Sequence, residues 1–423
     1  MGKTFAEKVL GRAAGHEVSA GEIVIVRPDF CVSHENGAAV VKTFRKFGVP
    51  SVFDPSRIVL VMDHTVPAAT AGNANSQKTV RDFAHEQGIT HYYDLNSCGG
   101  VCHQIMVQEG YALPGCIVLG TDSHTCTSGA AGAFAVGIGR SEMASVWAVG
   151  DIWLRVPETI KIVLKGSFRP GVSAKDLILR IVGDLRADGA DYKSVEFHGD
   201  AADRLCLAER MTLCNMGIEM GAKNAVFKPS EEVLVHARAR AKKEDWEVLW
   251  ADEDAVYCRE FVYQLEDIVP GLACPHTVDN YATVREHIGM PVDQVFIGAC
   301  TNGRLEDLRL AAQVLRGRHV AVRTIIVPAS CEIYRKALDD GILAELMDAG
   351  CVISHPGCGP CAGVMGGILA DGEVCVSTAN RNFKGRMGNR ESFIYLASPL
   401  TAACTALNGA LSDPTEWAKE ARI

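Results

Sequence analysis

The chain has no surplus of positive charge and no long apolar run, and its opening residues are not expected to act as a leader. Against 42 Lys and Arg stand 51 Asp and Glu, a formal net charge of −9. That argues against a general nucleic-acid surface, where basic residues must cover phosphates. The most apolar stretch, Ala130 to Ile138, is Gly-rich and about half the ~18 residues a membrane-spanning helix needs. The opening Met1-Gly2-Lys3-Thr4-Phe5-Ala6 has no apolar core of a secretion signal and is followed by the acidic Glu7. Ala6 also stands where a myristoylation signal needs Ser or Thr. Internal repeats and low-complexity tracts are absent. The 16 cysteines follow no disulfide-framework spacing, so the expected compartment is the reducing cytoplasm, with thiols free or on a metal centre.

What is present suits a layered α/β enzyme. A length of 423 residues with 48% hydrophobic content is enough for two or three cores. Glycine, at 41 residues, is frequent, as expected where many loops approach a cofactor closely. Short apolar runs at Ile23 to Val26, Ile58 to Met62, Ile117 to Leu119, Ile160 to Leu164, Val295 to Ile297, Thr324 to Val327 and Cys351 to Ile353 have strand character. Asn75 to Gln87, Ala174 to Arg186, Arg304 to Leu315 and Cys331 to Leu338 have helical spacing, with Ser, Asp or Asn often near their starts. That alternation predicts three α/β domains. Breaks at Arg155-Val156-Pro157 and Gly289-Met290-Pro291 divide them as 1 to 156, 157 to 288 and 289 to 423.

Two runs carry the chemistry: Gly298-Ala299-Cys300-Thr301-Asn302-Gly303 and His355-Pro356-Gly357-Cys358-Gly359-Pro360-Cys361. Each follows a β-rich stretch and belongs on a loop at a strand's C-terminal end, where α/β folds place their sites. A lone C-x-x-C fits a redox pair or half a zinc site equally well. The Gly and Pro between Cys358 and Cys361, and the separate run around Cys300, favour a cluster. Four thiolates would close a structural or electron-transfer site, whereas three on a four-iron, four-sulfur cluster leave one iron open. Cys31, Cys116, Cys206, Cys274, Cys375 and Cys404 lie among apolar neighbours and are read as packing residues, as are Cys98 and Cys351.

Together with Gly120-Thr121-Asp122-Ser123-His124-Thr125 and Asn380-Arg381-Asn382-Phe383-Lys384-Gly385-Arg386, these runs resemble the aconitase superfamily. The likeness extends from Lys3 to about Asp413 and is strongest to the isopropylmalate dehydratase and homoaconitase large subunits. It implies one 4Fe-4S cluster on Cys300, Cys358 and Cys361, helped by Asn302 and Asn380, and a hydro-lyase acting on a hydroxy di- or tricarboxylic acid. It also implies carboxylate–imidazole pairs: His64 with Asp63, His103 with Asp122, and His124 with Glu219. A neighbouring carboxylate fixes an imidazole's tautomer and raises its basicity, and by resemblance His64 protonates the leaving hydroxyl. His34, Ser123, Asn215, Arg381 and Arg386 are the implied substrate residues, the two arginines because guanidinium forks bind carboxylates bidentately. His85, His91, His198, His236, His276, His287 and His319 have no such context.

The early loop departs from the isopropylmalate pattern, since Asn36-Gly37 follows His34-Glu35. The Gly-Ser-Ser-Arg segment of the fourth, swivel domain of single-chain aconitases does not occur here. The base that takes the carbon-bound proton is therefore expected on a small subunit, in a heterodimer or heterotetramer. Leucine biosynthesis, through 3-isopropylmalate, is the leading expectation. Homoaconitase, dimethylmalate dehydratase and maleate or citraconate hydratase remain alternatives, with a structural zinc module and an RNA-binding regulator further off.

Overall fold

A computed structural model describes residues 2–97 and 99–421, so Cys98 lies outside the described residues. Among the described residues three main sheets follow one another along the chain, beside a two-stranded ribbon. The first has five parallel strands in the order Tyr92–Tyr93, Ile58–Val61, Phe30–Ser33, Ile117–Gly120 and Phe134–Gly137. The second has four, Asn224–Phe227, Ser194–His198, Thr159–Lys165 and Arg259–Gln264, again all parallel. The third has seven, in the order Tyr281–Thr283, Gly271–Ala273, Phe393–Leu396, Val374–Ser377, Gln294–Gly298, Arg323–Val327 and Val352–Ile353. Its first two strands run antiparallel and the other five parallel.

Every run read as a strand forms one. Central strands such as Ile58–Val61 are buried on both faces and therefore read as continuous apolar runs. Ile23–Val26 alternates instead, because it pairs only with Ile152–Arg155 in an antiparallel ribbon that keeps Ile23 and Ile25 exposed. The helix expected from Asn75 starts earlier, at Ala71, where the Thr70 hydroxyl accepts the Asn73 N–H. The second domain boundary is displaced in the same direction. Gly271–Ala273 and Tyr281–Thr283 already belong to the third sheet through Leu396, so the sheets change ahead of Gly289. The ladder to Phe393–Leu396 outweighs the turn signal at Gly289-Met290-Pro291.

The sheets are joined by buried polar contacts as well as by apolar packing. Asn224 Oδ1, on the second sheet, accepts the Ala135 N–H of the first at 3.0 Å. Beside it, a Cβ at Gly129 would lie 1.8 Å from the Ala225 carbonyl, so only glycine lets the Ser123–Ala131 turn approach that strand. Asp176 links the second and third units: it accepts Gly271 N–H at 3.0 Å and the Ser173 N–H at 2.9 Å, and is fully buried. Among the described residues no helix is long and apolar enough to cross a membrane.

Burial pushes the Asp176 carboxyl up to about 6 from 3.8, against the hydrogen bonds from Gly271 and Ser173. The folded chain thus holds this proton more tightly than the unfolded chain. The resulting stabilisation is complete below the unfolded value and is lost as pH rises towards the folded one. Asp176→Asn removes that loss: relative to the parent, the variant should gain roughly 3 kcal/mol between about pH 4 and pH 7. Urea midpoints measured across that range check it, and a constant difference would contradict it.

Candidate active site

Six loops at the C-terminal ends of parallel strands supply the site. They follow Phe30–Ser33, Ile58–Val61 and Ile117–Gly120 in the first sheet, and Gln294–Gly298, Val352–Ile353 and Val374–Ser377 in the third. There the chain leaves the hydrogen-bonded ladder and its side chains are free to converge. His103 comes from the helix Cys102–Gln108. Asn215 ends the helix Leu207–Asn215, and Glu219 lies in the 3-10 turn Met216–Met220 that follows.

Asp122 is the hub. Its Oδ1 accepts from His103 Nε2 at 2.8 Å and from the His124 N–H at 2.8 Å, and lies 3.3 Å from His124 Nδ1. Its Oδ2 lies 3.6 Å from His64 Nε2. Burial alone would raise this carboxyl, but hydrogen bonds from His103 and His124 and the nearby His64 imidazole hold it well below the usual carboxylate range. His64 Nδ1 lies 2.5 Å from Asp63 Oδ1, and the other Asp63 oxygen accepts the Cys102 N–H at 2.7 Å. Burial would deprotonate His64; the charges of Asp63 and Cys358 and the contact with Asp122 instead raise it well above its ordinary value. His124 Nε2 donates to Glu219 Oε1 at 2.7 Å, and Arg381 Nε donates to the same oxygen at 2.8 Å.

The other expected residues fall into three groups. His34 stacks on His64, with ring centroids 4.1 Å apart, which sets it beside the acid candidate. Arg381 commits Nε to Glu219 while Nη1 lies 3.5 Å from the Ser123 hydroxyl, leaving part of its fork for a ligand. Arg386, also expected on substrate, is turned towards Cys361, whose Sγ accepts from Nη2 at 3.5 Å. Asn215 is placed differently from the expectation of a substrate contact. It is fully buried, and its amide donates to Cys300 Sγ at 3.2 Å and to Thr127 Oγ1 at 2.9 Å. Asn380 donates to the same sulfur at 3.3 Å. Asn302, expected beside the cysteines, faces away and bonds Lys175, Thr212 and Asp307.

Cys300, Cys358 and Cys361 are buried and unpaired as disulfides. Cys300 and Cys358 pack together against Val101, and the Cys358 N–H donates to the Asp63 carbonyl at 3.0 Å, tying the cysteine loop to the His64 loop. Ala299, immediately before Cys300, has a φ of 65°, a left-handed conformation that costs a non-Gly residue about 1–2 kcal/mol. Burial pushes the Cys300 thiol up to about 11, followed by the charge of Cys361, so metal uptake must release its proton. The donor set fits a cluster. A single tetrahedral ion on thiolates would draw its sulfurs to about 3.8 Å apart, yet these three do not form a ligand set closed within 4.8 Å. Amide and guanidinium donors around Cys300 and Cys361 match what ligand sulfurs accept.

The model of the aconitase family (aconitate hydratase) matches residues 7–291 and 284–409. The chain belongs to the aconitase family. Within the family, 3-isopropylmalate dehydratase large subunit 1 of Methanopyrus kandleri is 48% identical over 99% of this chain and 100% of its own length. A probable methanogen homoaconitase large subunit of Methanosarcina mazei is 49% identical over 91% of this chain and 98% of its own. The crystal structure of Thermococcus kodakaraensis aconitase X (holo-form) shares the fold at a TM-score of 0.52, with 12% identity and 89% of each chain covered. The α/β aconitase fold expected from the sequence is therefore the one observed.

Glu35, Lys175 and Arg304 were missed by sequence reading. Glu35, the residue after His34, accepts the His64 N–H at 3.1 Å, the Thr65 N–H at 2.7 Å and the Thr65 hydroxyl at 3.1 Å. Burial would raise this carboxyl, but the His34 contact, the His64 charge and the Thr65 N–H hold it far below its ordinary value. An acidic residue next to a motif histidine was the available signal. Glu35→Gln would turn an amide N–H₂ towards these donors and should cost about 1.5–3 kcal/mol. Chemical denaturation checks this, and a stability within a few tenths of the parent would show that the loop does not depend on the anion.

Proposed function

We propose that this chain is the cluster-bearing large subunit of a hydro-lyase that acts on a branched hydroxy di- or tricarboxylic acid, with 3-isopropylmalate the leading substrate. The observation that carries the reading is the convergence of three buried, unbridged cysteines with three carboxylate-paired imidazoles on one rim of strand ends. The names of full-length relatives support the same chemistry.

Cys300, Cys358 and Cys361 would hold a 4Fe-4S cluster, which when bound supplies a Lewis acid for the leaving hydroxyl and a neighbouring carboxylate. Asp63 fixes the His64 tautomer through Nδ1, so Nε2 carries the proton that is handed to the departing hydroxyl. Asp122 lies on the Nε2 side and keeps the imidazolium stable until transfer. Glu219 orients His124 and Arg381 together, and the remaining guanidinium nitrogens of Arg381 receive a substrate carboxylate. His34, stacked on His64, shields that ring and forms part of the wall that meets the substrate's branch. The base for the carbon-bound proton is assigned to a small subunit, the partner that the relatives' names imply. Cytoplasmic location accords with a free-thiol, oxygen-sensitive centre.

Homoaconitase is the second reading. It is favoured by the 49% identity to the Methanosarcina mazei homoaconitase large subunit, a match as close as the isopropylmalate relatives give.

Protein purified without oxygen should hold about four irons and four labile sulfides. Cys300→Ser should lose both while the circular dichroism of the apoprotein stays unchanged. Stoichiometric zinc with no sulfide would sink the cluster assignment.

The loaded chain alone should turn over negligibly, and addition of a cognate small subunit should restore about 100-fold to 10,000-fold, the span a positioned base contributes. Alkene formation, followed by ultraviolet absorbance on 3-isopropylmalate and on homocitrate, measures this and ranks the two substrates. Full activity without the small subunit would place the base in this chain.

A further inference from the structure

Two cations are sealed behind the cysteine loops, away from the imidazoles. Arg304, 4% exposed, donates to the Cys300 carbonyl at 2.9 Å and to the Thr301 carbonyl and Thr212 hydroxyl. Lys175 is 1% exposed, on the helix Ala174–Leu185 of the second unit. All its hydrogen-bond acceptors are uncharged oxygens: the Thr378 and Ala379 carbonyls, both at 2.7 Å, and Asn302 Oδ1 at 3.4 Å. These acceptors flank the sulfur site. Ala379 precedes Asn380, whose amide donates to Cys300 Sγ, and Asn302 stands two residues after Cys300.

A buried ammonium on neutral acceptors needs a counter-charge nearby. The carboxylates that face Lys175 are turned to other donors. Asp307 accepts from the Asn302 amide at 3.0 Å and from the Arg304 N–H at 3.0 Å, while Asp176 accepts from Gly271 and Ser173. Burial pulls Lys175 down to about 7, and the charges that oppose this are Asp307, Cys300, Cys361 and Asp176. A cluster on three thiolates carries net negative charge, and more after one-electron reduction.

We propose that Lys175 is a positioning residue for the metal centre: its ammonium braces the loops that carry Cys300 and Asn380 and supplies the buried positive charge facing the cluster, thereby setting cluster retention and reduction potential. It reaches the substrate only through these loops. The inference rests on the cluster reading above.

The test compares the anaerobically loaded parent with Lys175→Met, Lys175→Gln and Lys175→Arg. Mediated dithionite titration gives the one-electron potential, and a ferrous chelator under argon gives the half-life of iron loss. Circular dichroism of each apoprotein reports the fold. Both neutral variants should keep the apoprotein fold and shift the oxidised-to-reduced ratio at fixed poise about tenfold towards oxidised, which is ~59 mV for one electron. They should also lose iron about tenfold faster, and Lys175→Arg should recover most of both effects because it keeps the charge. Parent-like potential and half-life in the neutral variants would overturn the proposal. So would unfolding of both neutral apoproteins, which would assign Lys175 to the fold and not to the centre. A parent that loads no labile sulfide would instead sink the cluster reading itself.

Discussion

The half-buried Asp122 carboxylate, set among His64, His103 and His124, is the contact on which the rest of the site depends. A carboxylate taken out of water is tolerated only where several donors replace the solvent. Here the donors are three imidazoles. Two of the imidazoles are in turn fixed from their other side, His64 by Asp63 and His124 by Glu219, whose oxygen Arg381 holds as well, while the buried Nδ1 of His103 has no hydrogen-bond partner among the described residues. The network alternates acid and base, so no member stands as an isolated buried charge, and displacing one member moves the next.

The backbone geometry beneath it is equally constrained. Parallel strands deliver their following loops to one rim, so residues far apart in sequence meet without a special connection. The Cys358 N–H on the Asp63 carbonyl and the Val101 N–H on the Ala329 carbonyl weld the rim of the first sheet to that of the third. The left-handed Ala299 lies at the tightest point, where the strand Gln294–Gly298 turns into the helix that presents Cys300. Arg304 holds that turn by its carbonyls, so the strain is confined by hydrogen bonds rather than relieved.

Much of this was legible in the chain. Continuous apolar runs marked the buried parallel strands because both of their faces are covered. The motif residues could be placed because Gly, Asn and Pro beside a strand end signal a loop. Other features were illegible for physical reasons. Asn215 ends a helix whose partner sulfur is 85 positions away in sequence, so nothing local told an amide that reaches the Cys300 sulfur from a substrate contact. Asn302 sits beside a cysteine yet points to Lys175, since which way a short side chain leaves a turn is decided by its neighbours in space. The second boundary was misplaced because a Gly-Met-Pro turn is a local signal, whereas membership of the third sheet is set by pairing with Leu396.

The sequence by itself determined the α/β class, the strand-end loops and the identity of the thiol, imidazole and carboxylate groups, because these follow from hydrophobic periodicity and local turn chemistry. Only the tertiary structure decided which carboxylate faces which imidazole, that Glu35 clamps the His64 loop, and that Lys175 and Arg304 are sealed behind the cysteines. Those are long-range pairings of buried charges. Their energy depends on which groups replace water around them, and that is settled only when separate parts of the chain pack together.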